Sequence, residues 1–328
     1  MSADLRVTVA GLELKNPVIA GSGESTATER DIIGCLDAGA AAVIAKSVNE
    51  SAAARAQLEA AEYVLLDEKL QPRPVGPAGR SDSLFCRSGL LDVNLDEWAE
   101  LLARLDREAA WRSAYVVPSV IVADVDEGAA LARRFEEAGL RWLELNVGAP
   151  HAEEAADGAL GTGVELVARV RKAVSIPLTV KLRAEAAVDD ALAAGADAVC
   201  LATRAMGFVP DLDTRRPLLG TFAAIGGAWS LPLTLHQVAK AHRAHPTASL
   251  IGTNGARDGY DVARFLLAGA SAVAMTTAVM TDGPSVLRRA LADLERYCTD
   301  QGVAARELVG DAARHVQTYE EVAIERRL

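Results

Sequence analysis

The chain has 328 residues and a formal net charge of −11, and half of its residues are hydrophobic. This length suits one large domain or two smaller ones with a substantial core, and the acidic balance argues against a nucleic-acid partner. No apolar run is long enough to cross a bilayer, and the first residues lack the basic head and apolar stretch of a signal peptide. We therefore expect a cytoplasmic protein with no membrane partner.

The cysteine pattern excludes two kinds of metal site. Cys35, Cys86, Cys200 and Cys298 are far apart, and no CxxC pair or other clustered ligand spacing is present. Iron–sulfur clusters and structural zinc need such clusters. We expect no metal site in this chain.

The chain order predicts a barrel. Residues 5–15 alternate apolar and polar around Ala10-Gly11, as in a small hairpin suited to the bottom of a barrel. Eight strand-like apolar runs follow, at 16–21, 41–47, 115–122, 142–147, 178–183, 198–203, 249–253 and 272–276, with amphipathic helical stretches between them. This alternation predicts a (β/α)₈ TIM barrel in the α/β class, formed as one domain by residues 1–328. A doubly wound sheet shares the local pattern but seldom repeats it eight times.

Two segments interrupt the regular spacing. Residues 48–114 separate the second and third strands, and residues 204–230 follow the sixth strand. Both leave from the C-terminal ends of strands, where such barrels place their chemistry. Long loops in compact domains usually cover or bind a ligand.

The stretch 249–278 predicts a phosphate site. It contains the last two strands, a turn at Asn254-Gly255 and a second turn at Thr276-Thr277. The turns after the last two strands of β/α barrels commonly bind phosphate through backbone N–H groups. The alternative is that Gly255 only ends a strand.

Two lysines lie within strongly apolar strands. An unpaired lysine in a core is costly, so Lys46 and Lys181 should face an anionic or electron-rich ligand. The alternative is a structural pairing with an acid such as Glu144. Together with the phosphate turns, these lysines indicate a flat phosphorylated cofactor. Pyridoxal phosphate, FMN and a sugar phosphate all fit the residues at this level.

Eight collinear motifs then carry a family resemblance. They are NPVIAGSG (16–23), AKS (45–47), SGLLD (88–92), ELNVGAP (144–150), PLTVKL (177–182), IGGA (225–228), IGTNGARDGYD (251–261) and LLAGASAVAMTTA (266–278). Over about residues 16–297 the chain resembles the dihydroorotate dehydrogenase superfamily. It is most similar to the soluble class 1 branch and to the FMN domain of dihydropyrimidine dehydrogenase.

The resemblance implies FMN on the C-terminal face of the barrel. Lys181 would stabilise negative charge on the reduced flavin near its N1/O2 edge. The family usually has Gly-Gly where this chain has Asn254-Gly255, and asparagine tolerates positive φ better than most residues. The implied cofactor residues are Ala20, Gly21, Ser22, Lys46, Ser47, Asn146, Lys181, Thr203, Gly226, Gly227, Thr253, Asn254, Gly255, Thr276 and Thr277.

The substrate side departs from the family pattern. In the family motif Asn-x-Ser-Cys-Pro-Asn, the cysteine, or a serine in another branch, is the base that removes a proton from C5 while hydride passes from C6 to flavin N5. Ala149 occupies that position here and has no ionisable group. Loss of a general base costs a factor of ~10²–10⁴. We therefore predict a flavoprotein that is not a competent dihydroorotate dehydrogenase.

The residues expected to grip the pyrimidine are also replaced. Of the family's asparagines only Asn146 is kept, and Cys86, Asp92, His151 and Arg204 stand at the others' positions. Arg204 and Arg87 are candidates for binding a carboxylate or phosphate, His151 for proton exchange and Cys86 as an acid or nucleophile. The alternatives are that His151 caps a loop, Arg87 faces solvent and Cys86 is inert.

The sequence thus predicts an FMN-dependent oxidoreductase. It would move hydride between flavin N5 and a C–C or C–N bond of a small anionic substrate, with catalytic roles for Cys86, His151 and Lys181. One alternative is a divergent dihydroorotate or dihydropyrimidine dehydrogenase that uses Cys86 or His151 as its base, and another is a non-redox phosphate-binding barrel. The chain has no cluster or NAD motif, so a separate electron acceptor or donor is expected. The resemblance also implies a homo-oligomer, most simply a homodimer.

Overall fold

The computed structural model describes residues 2–51, 61–122, 124–147, 163–182, 187–202 and 205–317. The strands are β1 (Val7–Val9), β2 (Leu12–Leu14), β3 (Val18–Ala20), β4 (Ala42–Ile44), β5 (Glu62–Leu66), β6 (Pro72–Arg73), β7 (Ser83–Arg87), β8 (Tyr115–Val117), β9 (Ser119–Val120), β10 (Leu143–Asn146), β11 (Leu178–Leu182), β12 (Ala198–Ala202), β13 (Ala205–Gly207), β14 (Ala223–Gly227), β15 (Ser249–Thr253) and β16 (Ala272–Met275).

The helices cover the outside of the barrel. They are α1 (Glu29–Asp37), α2 (Leu95–Ala110), α3 (Val125–Glu137), α4 (Gly163–Ala173), α5 (Val188–Ala193), α6 (Leu231–Ala244), α7 (Gly259–Ala268), α8 (Thr277–Asp282) and α9 (Ser285–Gln301). Short 3₁₀ helices lie at Glu24–Thr26, Ala228–Ser230, Ala305–Leu308 and Ala313–His315. No helix in the described parts of the chain is long and apolar enough to span a membrane.

A parallel sheet closes into the predicted (β/α)₈ barrel. Its strand order is β8-β4-β3-β16-β15-β12-β11-β10-β9. Because β8 and β9 are two halves of one run around Pro118, the two ends of this order are the same run, and the sheet closes. Its strands are short and almost wholly buried, as expected when side chains pack inside and helices pack outside.

The N-terminal hairpin lies at the bottom of the barrel. β1 and β2 pair antiparallel, and the Ala10 backbone N–H donates to Ser249 Oγ at 3.1 Å. Ser249 is the first residue of β15, so the hairpin contacts the N-terminal end of that strand. This is the placement predicted from the sequence.

The two long segments form a second sheet, which we call the roof sheet. It is antiparallel, with strand order β13-β14-β7-β5-β6. In it Ser83 pairs with Gly227 and Cys86 with Ala224, which joins the insertion after β4 to the insertion after β12. The sequence predicted loops here, because the pairing joins segments too far apart in the chain for any local pattern to reveal it. The roof sheet has a small hydrophobic cluster that is separate from the barrel core. It consists of Leu66, Phe85, Leu219 and Ala223.

A buried ion pair joins α2 to the barrel. The Asp106 carboxylate is 1% exposed and accepts a hydrogen bond from the Val116 backbone N–H at 2.8 Å. The Arg141 Nε and Nη2 atoms donate to its two oxygens, each at 2.7 Å. The Arg141 guanidinium carbon also lies 4.4 Å from the centroid of the Tyr115 ring. This group fixes α2 against β8 and the start of β10.

Asp106→Ala should lower the free energy of unfolding by about 3 kcal/mol, because it leaves a partly buried guanidinium and a strand N–H without their acceptor. Urea denaturation followed by circular dichroism measures the change. Arg104→Ala is the control, since its ion pairs with Glu29 and Glu108 are solvent-exposed and should contribute less than about 1 kcal/mol. Equal effects of the two changes would contradict this account of the Asp106 site.

Candidate active site

A cleft lies between the C-terminal ends of the barrel strands and the roof sheet. It contains about 1190 Å³ of space that protein atoms do not fill, part of it open to solvent. The barrel side of its wall comes from strand ends and the turns that follow them, and the opposite side comes from β5, β7 and β14. The barrel thus places the site on the face where β/α barrels carry their chemistry.

The structure brings most of the predicted site residues to this cleft. Its wall includes Ser22, Lys46, Ser47, Cys86, Asn146, Lys181, Gly226, Thr253, Asn254, Gly255, Thr276 and Thr277. Ala20, Gly21, Gly227, Arg87 and Asp92 are not on the wall. Ala149, His151, Thr203 and Arg204 lie outside the described residues.

A buried carboxylate lies beside Lys181. Glu144 is fully buried, its Oε1 lies 3.9 Å from Lys181 Nζ, and Ser119 Oγ donates to the same oxygen at 2.8 Å. The other oxygen, Oε2, is buried without a hydrogen-bond partner among the described residues. The sequence left two alternatives for Lys181, facing a ligand or pairing with Glu144. Both hold in part, because Lys181 lies beside Glu144 and also lines the cleft.

A line of hydroxyl groups connects this carboxylate to the first strand. Ser119 Oγ lies 2.9 Å from Ser47 Oγ, which lies 3.2 Å from Ser22 Oγ. The line crosses from β9 past the end of β4 to the turn after β3. Ser22 and Ser47 lie on the cleft wall, and Ser119 connects them to the buried Glu144 behind it.

The predicted phosphate turn has the backbone conformation that the sequence anticipated. Asn254 has φ 75° and Gly255 has φ 105°, both in the left-handed region that favours glycine and asparagine. A Cβ atom at Gly255 would lie 2.7 Å from the Leu231 backbone nitrogen, and one at Gly226 would lie 2.7 Å from Asn254 Oδ1. Glycine at both places therefore allows close packing, with the Leu231 backbone against Gly255 and the Asn254 side chain against Gly226. This packing holds the turn at the cleft wall, where its backbone can face a ligand.

Strand β7 contains Cys86 and Arg87, two of the substrate-side candidates, and their side chains point to opposite faces of the roof sheet. Cys86 is 7% exposed and lines the cleft. Arg87 donates to the Leu219 carbonyl at 3.1 Å and lies 3.5 Å from Glu62 Oε2. Successive side chains of a strand point to opposite faces, so this strand presents Cys86 to the cleft and Arg87 to other groups of the two insertions.

Sequence reasoning missed three polar residues on the wall. One is Ser88, which follows the last residue of β7. Glu24 lies in the 3₁₀ turn after β3, and its Oε1 is 2.6 Å from Lys46 Nζ. Tyr63, in β5 of the roof sheet, donates its Oη hydrogen to the same Glu24 oxygen. Glu24 is the residue directly after the 16–23 motif, so extending that motif by one residue finds it. Tyr63 reaches the cleft only through the pairing of β5 with β7, for which the sequence has no local signal.

The four thiols differ in their access to the cleft. Burial raises the pKa of Cys35 and of Cys200 to about 12, and it also raises the pKa of Cys298. At Cys200, nearby Lys181 opposes the upward shift and Glu144 adds to it. Of the four, Cys86 is the thiol on the cleft wall.

A parallel β/α barrel with a glycine turn and two lysines on its C-terminal face belongs to the class of barrels that bind phosphorylated ligands at that face. The sequence profile of the dihydroorotate dehydrogenase family matches residues 71–297, and the chain belongs to this family.

Three relatives are catalytic subunits of dihydroorotate dehydrogenase B (NAD(+)). The one from Desulforudis audaxviator is 31% identical, over 96% of this chain and 99% of the relative. The one from Methanothermobacter thermautotrophicus is 28% identical, over 93% and 97%. The one from Thermoplasma acidophilum is 27% identical, over 95% and 100%.

The family resemblance found in the sequence is therefore confirmed, and with it the cofactor class. Enzymes of this family are FMN-dependent oxidoreductases that act on CH–CH bonds. The donor set of the cleft fits FMN, because the Asn254-Gly255 turn, the Thr276-Thr277 turn and Lys181 lie on the same wall. The roles assigned to individual site residues stay predictions.

Iodoacetamide at pH 8 should alkylate Cys86 before the other three cysteines of the native holoprotein. A thiol whose pKa is about 12 is about one ten-thousandth thiolate at that pH, so Cys35 and Cys200 should react very slowly. Peptide mass spectrometry over a time course measures the order, and the Cys86→Ser variant should lose the fast phase. Fast labelling of Cys200 would show that the barrel interior opens more readily than the structure indicates.

Proposed function

We propose that this chain is an FMN-dependent oxidoreductase of the dihydroorotate dehydrogenase family whose substrate site has been rebuilt. The observation that carries the proposal is that one cleft combines the predicted flavin residues with new side chains. Lys181, Asn146, Asn254 and Gly255, which the family resemblance implies for the flavin, line this cleft, and Cys86 lies on the same wall where the resemblance leads us to expect asparagine.

Bound FMN supplies a hydride acceptor and donor at its N5 atom. The backbone around Asn254-Gly255 and Thr276-Thr277, with Gly226 opposite, would hold the phosphate. Lys181 would place its ammonium where negative charge develops on the reduced ring. Glu144, which accepts a hydrogen bond from Ser119, would hold Lys181 in position. Asn146, the residue opposite Lys181 in the paired strands, would bind the flavin or the substrate.

The substrate is proposed to be small and to exchange hydride at a C–C or C–N bond. The sequence analysis expected an anionic substrate because two arginines, Arg87 and Arg204, were candidates to bind it. Arg87 bonds to Leu219 and Glu62 and is not on the cleft wall, so this structural position does not support a role in anion binding. Arg204 lies outside the described residues, and its role stays a prediction.

Proton transfer needs a group in place of the missing base. Cys86 is the proposed candidate among the described residues, because it lines the cleft. His151 lies outside the described residues and stays a prediction. The same position of Cys86 favours the second candidate function, a divergent dihydroorotate or dihydropyrimidine dehydrogenase in which Cys86 is the base. The non-redox barrel is not retained, since the family consists of FMN-dependent oxidoreductases.

Electrons are proposed to pass to or from a separate partner. The relatives named above are catalytic subunits of NAD(+)-linked enzymes, which supports a second protein that carries the nicotinamide chemistry. Assembly as a homodimer, organisation of residues 1–328 as a single domain, and a cytoplasmic location are further proposals that the sequence motivates.

Purified protein should show the two absorption bands of oxidised flavin, and these bands should persist after anaerobic addition of dihydroorotate. The reason is that Ala149 cannot accept the C5 proton. Stopped-flow absorbance spectroscopy measures this result, and dithionite reduction is the control that shows a reducible flavin. Rapid bleaching by dihydroorotate would contradict the proposal and favour the divergent dihydroorotate or dihydropyrimidine dehydrogenase. If the Cys86→Ala variant then failed to bleach, Cys86 would be identified as the base.

Lys181→Met should lower the two-electron midpoint potential of the bound flavin by about 30 mV or more, equivalent to about a tenfold weaker preference for the reduced form. The cause is the loss of a positive charge beside the reduced ring. Spectroelectrochemistry measures the shift. Lys181→Arg, which keeps the charge, should restore much of the potential, and Lys172→Met on the outer helix α4 should leave it unchanged. An unchanged potential in Lys181→Met would remove Lys181 from the flavin site.

A further inference from the structure

One corner of the cleft contains an ion pair in which the lysine is an implied cofactor residue and the glutamate has no role assigned so far. Glu24, Lys46 and Tyr63 all line the cleft. The Glu24 Oε1 atom lies 2.6 Å from Lys46 Nζ and accepts the Tyr63 hydroxyl hydrogen. The Lys46 side chain is 9% exposed and that of Glu24 is 36% exposed, so the lysine is enclosed and the carboxylate faces the open side.

The pairing removes the positive charge that an anionic ligand would seek. Among the described residues of the wall, Lys46 and Lys181 are the cations, and each has a glutamate carboxylate beside it. A ligand carboxylate that approached Lys46 would meet Glu24 on the same ammonium. Two carboxylates that share one cation in a partly dehydrated site repel each other, and such repulsion is an effective way to reject a ligand.

We propose that Glu24 is a specificity-determining residue that makes this corner select against carboxylates. Its own carboxylate is partly exposed and accepts hydrogen bonds, so the corner suits an uncharged or cationic ligand that presents an N–H or O–H donor. This proposal rests on the proposed function and deepens it: the rebuilt site takes a substrate without a carboxylate at this end, such as a neutral cyclic amide or an amine.

Tyr63 has a separate part in the arrangement. It belongs to the roof sheet, whereas Glu24 and Lys46 belong to the barrel. Its hydroxyl fixes the direction of the Glu24 carboxylate, and it also connects the roof sheet to the barrel. The charge that opposes a carboxylate, however, is on Glu24 alone, and this difference supplies a control.

The test uses two neutral-ring probes that differ by one carboxylate, orotate and uracil. Isothermal titration calorimetry of each into the FMN-loaded protein, with flavin difference spectra as a second readout, compares wild type with Glu24→Gln. Glutamine keeps the shape and the acceptor oxygen but removes the charge. We expect orotate to bind at least about tenfold more tightly to Glu24→Gln than to wild type, the worth of one charge-assisted hydrogen bond, with uracil changed by less than about twofold.

Two variants control for indirect effects. Tyr63→Phe loosens the carboxylate but keeps its charge, and its orotate affinity should stay near that of wild type. The double variant Glu24→Gln/Lys46→Met also removes the ammonium, and it should lose the gain in orotate affinity. Flavin content and thermal unfolding confirm that each protein is folded.

The outcomes separate this inference from the proposed function. If orotate binds Glu24→Gln no more tightly than wild type, including the case in which neither binds, the role of Glu24 is overturned while the flavoprotein proposal stands. Tight binding of orotate to the wild-type protein would also overturn the role of Glu24. Reduction of the wild-type flavin by dihydroorotate, by contrast, overturns the rebuilt substrate site itself.

Discussion

The antiparallel pairing of β7 with β14 determines the shape of the active site. The barrel alone provides strand ends and turns, which leave an open face. Pairing Ser83 with Gly227 and Cys86 with Ala224 brings the two insertions together and places Cys86, Tyr63 and Gly226 opposite the barrel residues. Without this pairing the flavin turns would remain, but the substrate side would have no second wall.

Each of the two lysines on the described cleft wall has a glutamate carboxylate beside it. Lys181 has Glu144 beside it inside the barrel, and Lys46 has Glu24 beside it at the rim. The two pairs differ in exposure, because Glu144 is fully buried and Glu24 is partly open. In our proposals the first pair serves the cofactor, and the exposed glutamate of the second pair acts on an entering ligand. The proposed division between the two roles thus follows the depth of the two carboxylates.

The sequence predicted the barrel well because local signals determine it. Each buried parallel strand is a short apolar run, and Asn254-Gly255 marks a turn that needs positive φ. The roof sheet was missed, because hydrogen bonding between β7 and β14 depends on two segments that are distant in the chain. Tyr63 was missed for the same reason. Glu24 was missed although it lies in the turn after the first barrel strand, since an acidic residue in a turn has many ordinary explanations.

The roof sheet also has a consequence for the order of folding. Its two halves flank the barrel strands β8 to β12 in the chain, so closing it early would cost the entropy of a very long loop. Once those strands are in the barrel, the ends of the two insertions are already close together and the pairing costs little. We therefore expect the roof sheet to pair after the barrel strands. Because Gly226 belongs to β14 of the roof sheet, the cleft wall would be complete only after this last pairing, and we expect tight uptake of flavin to follow it.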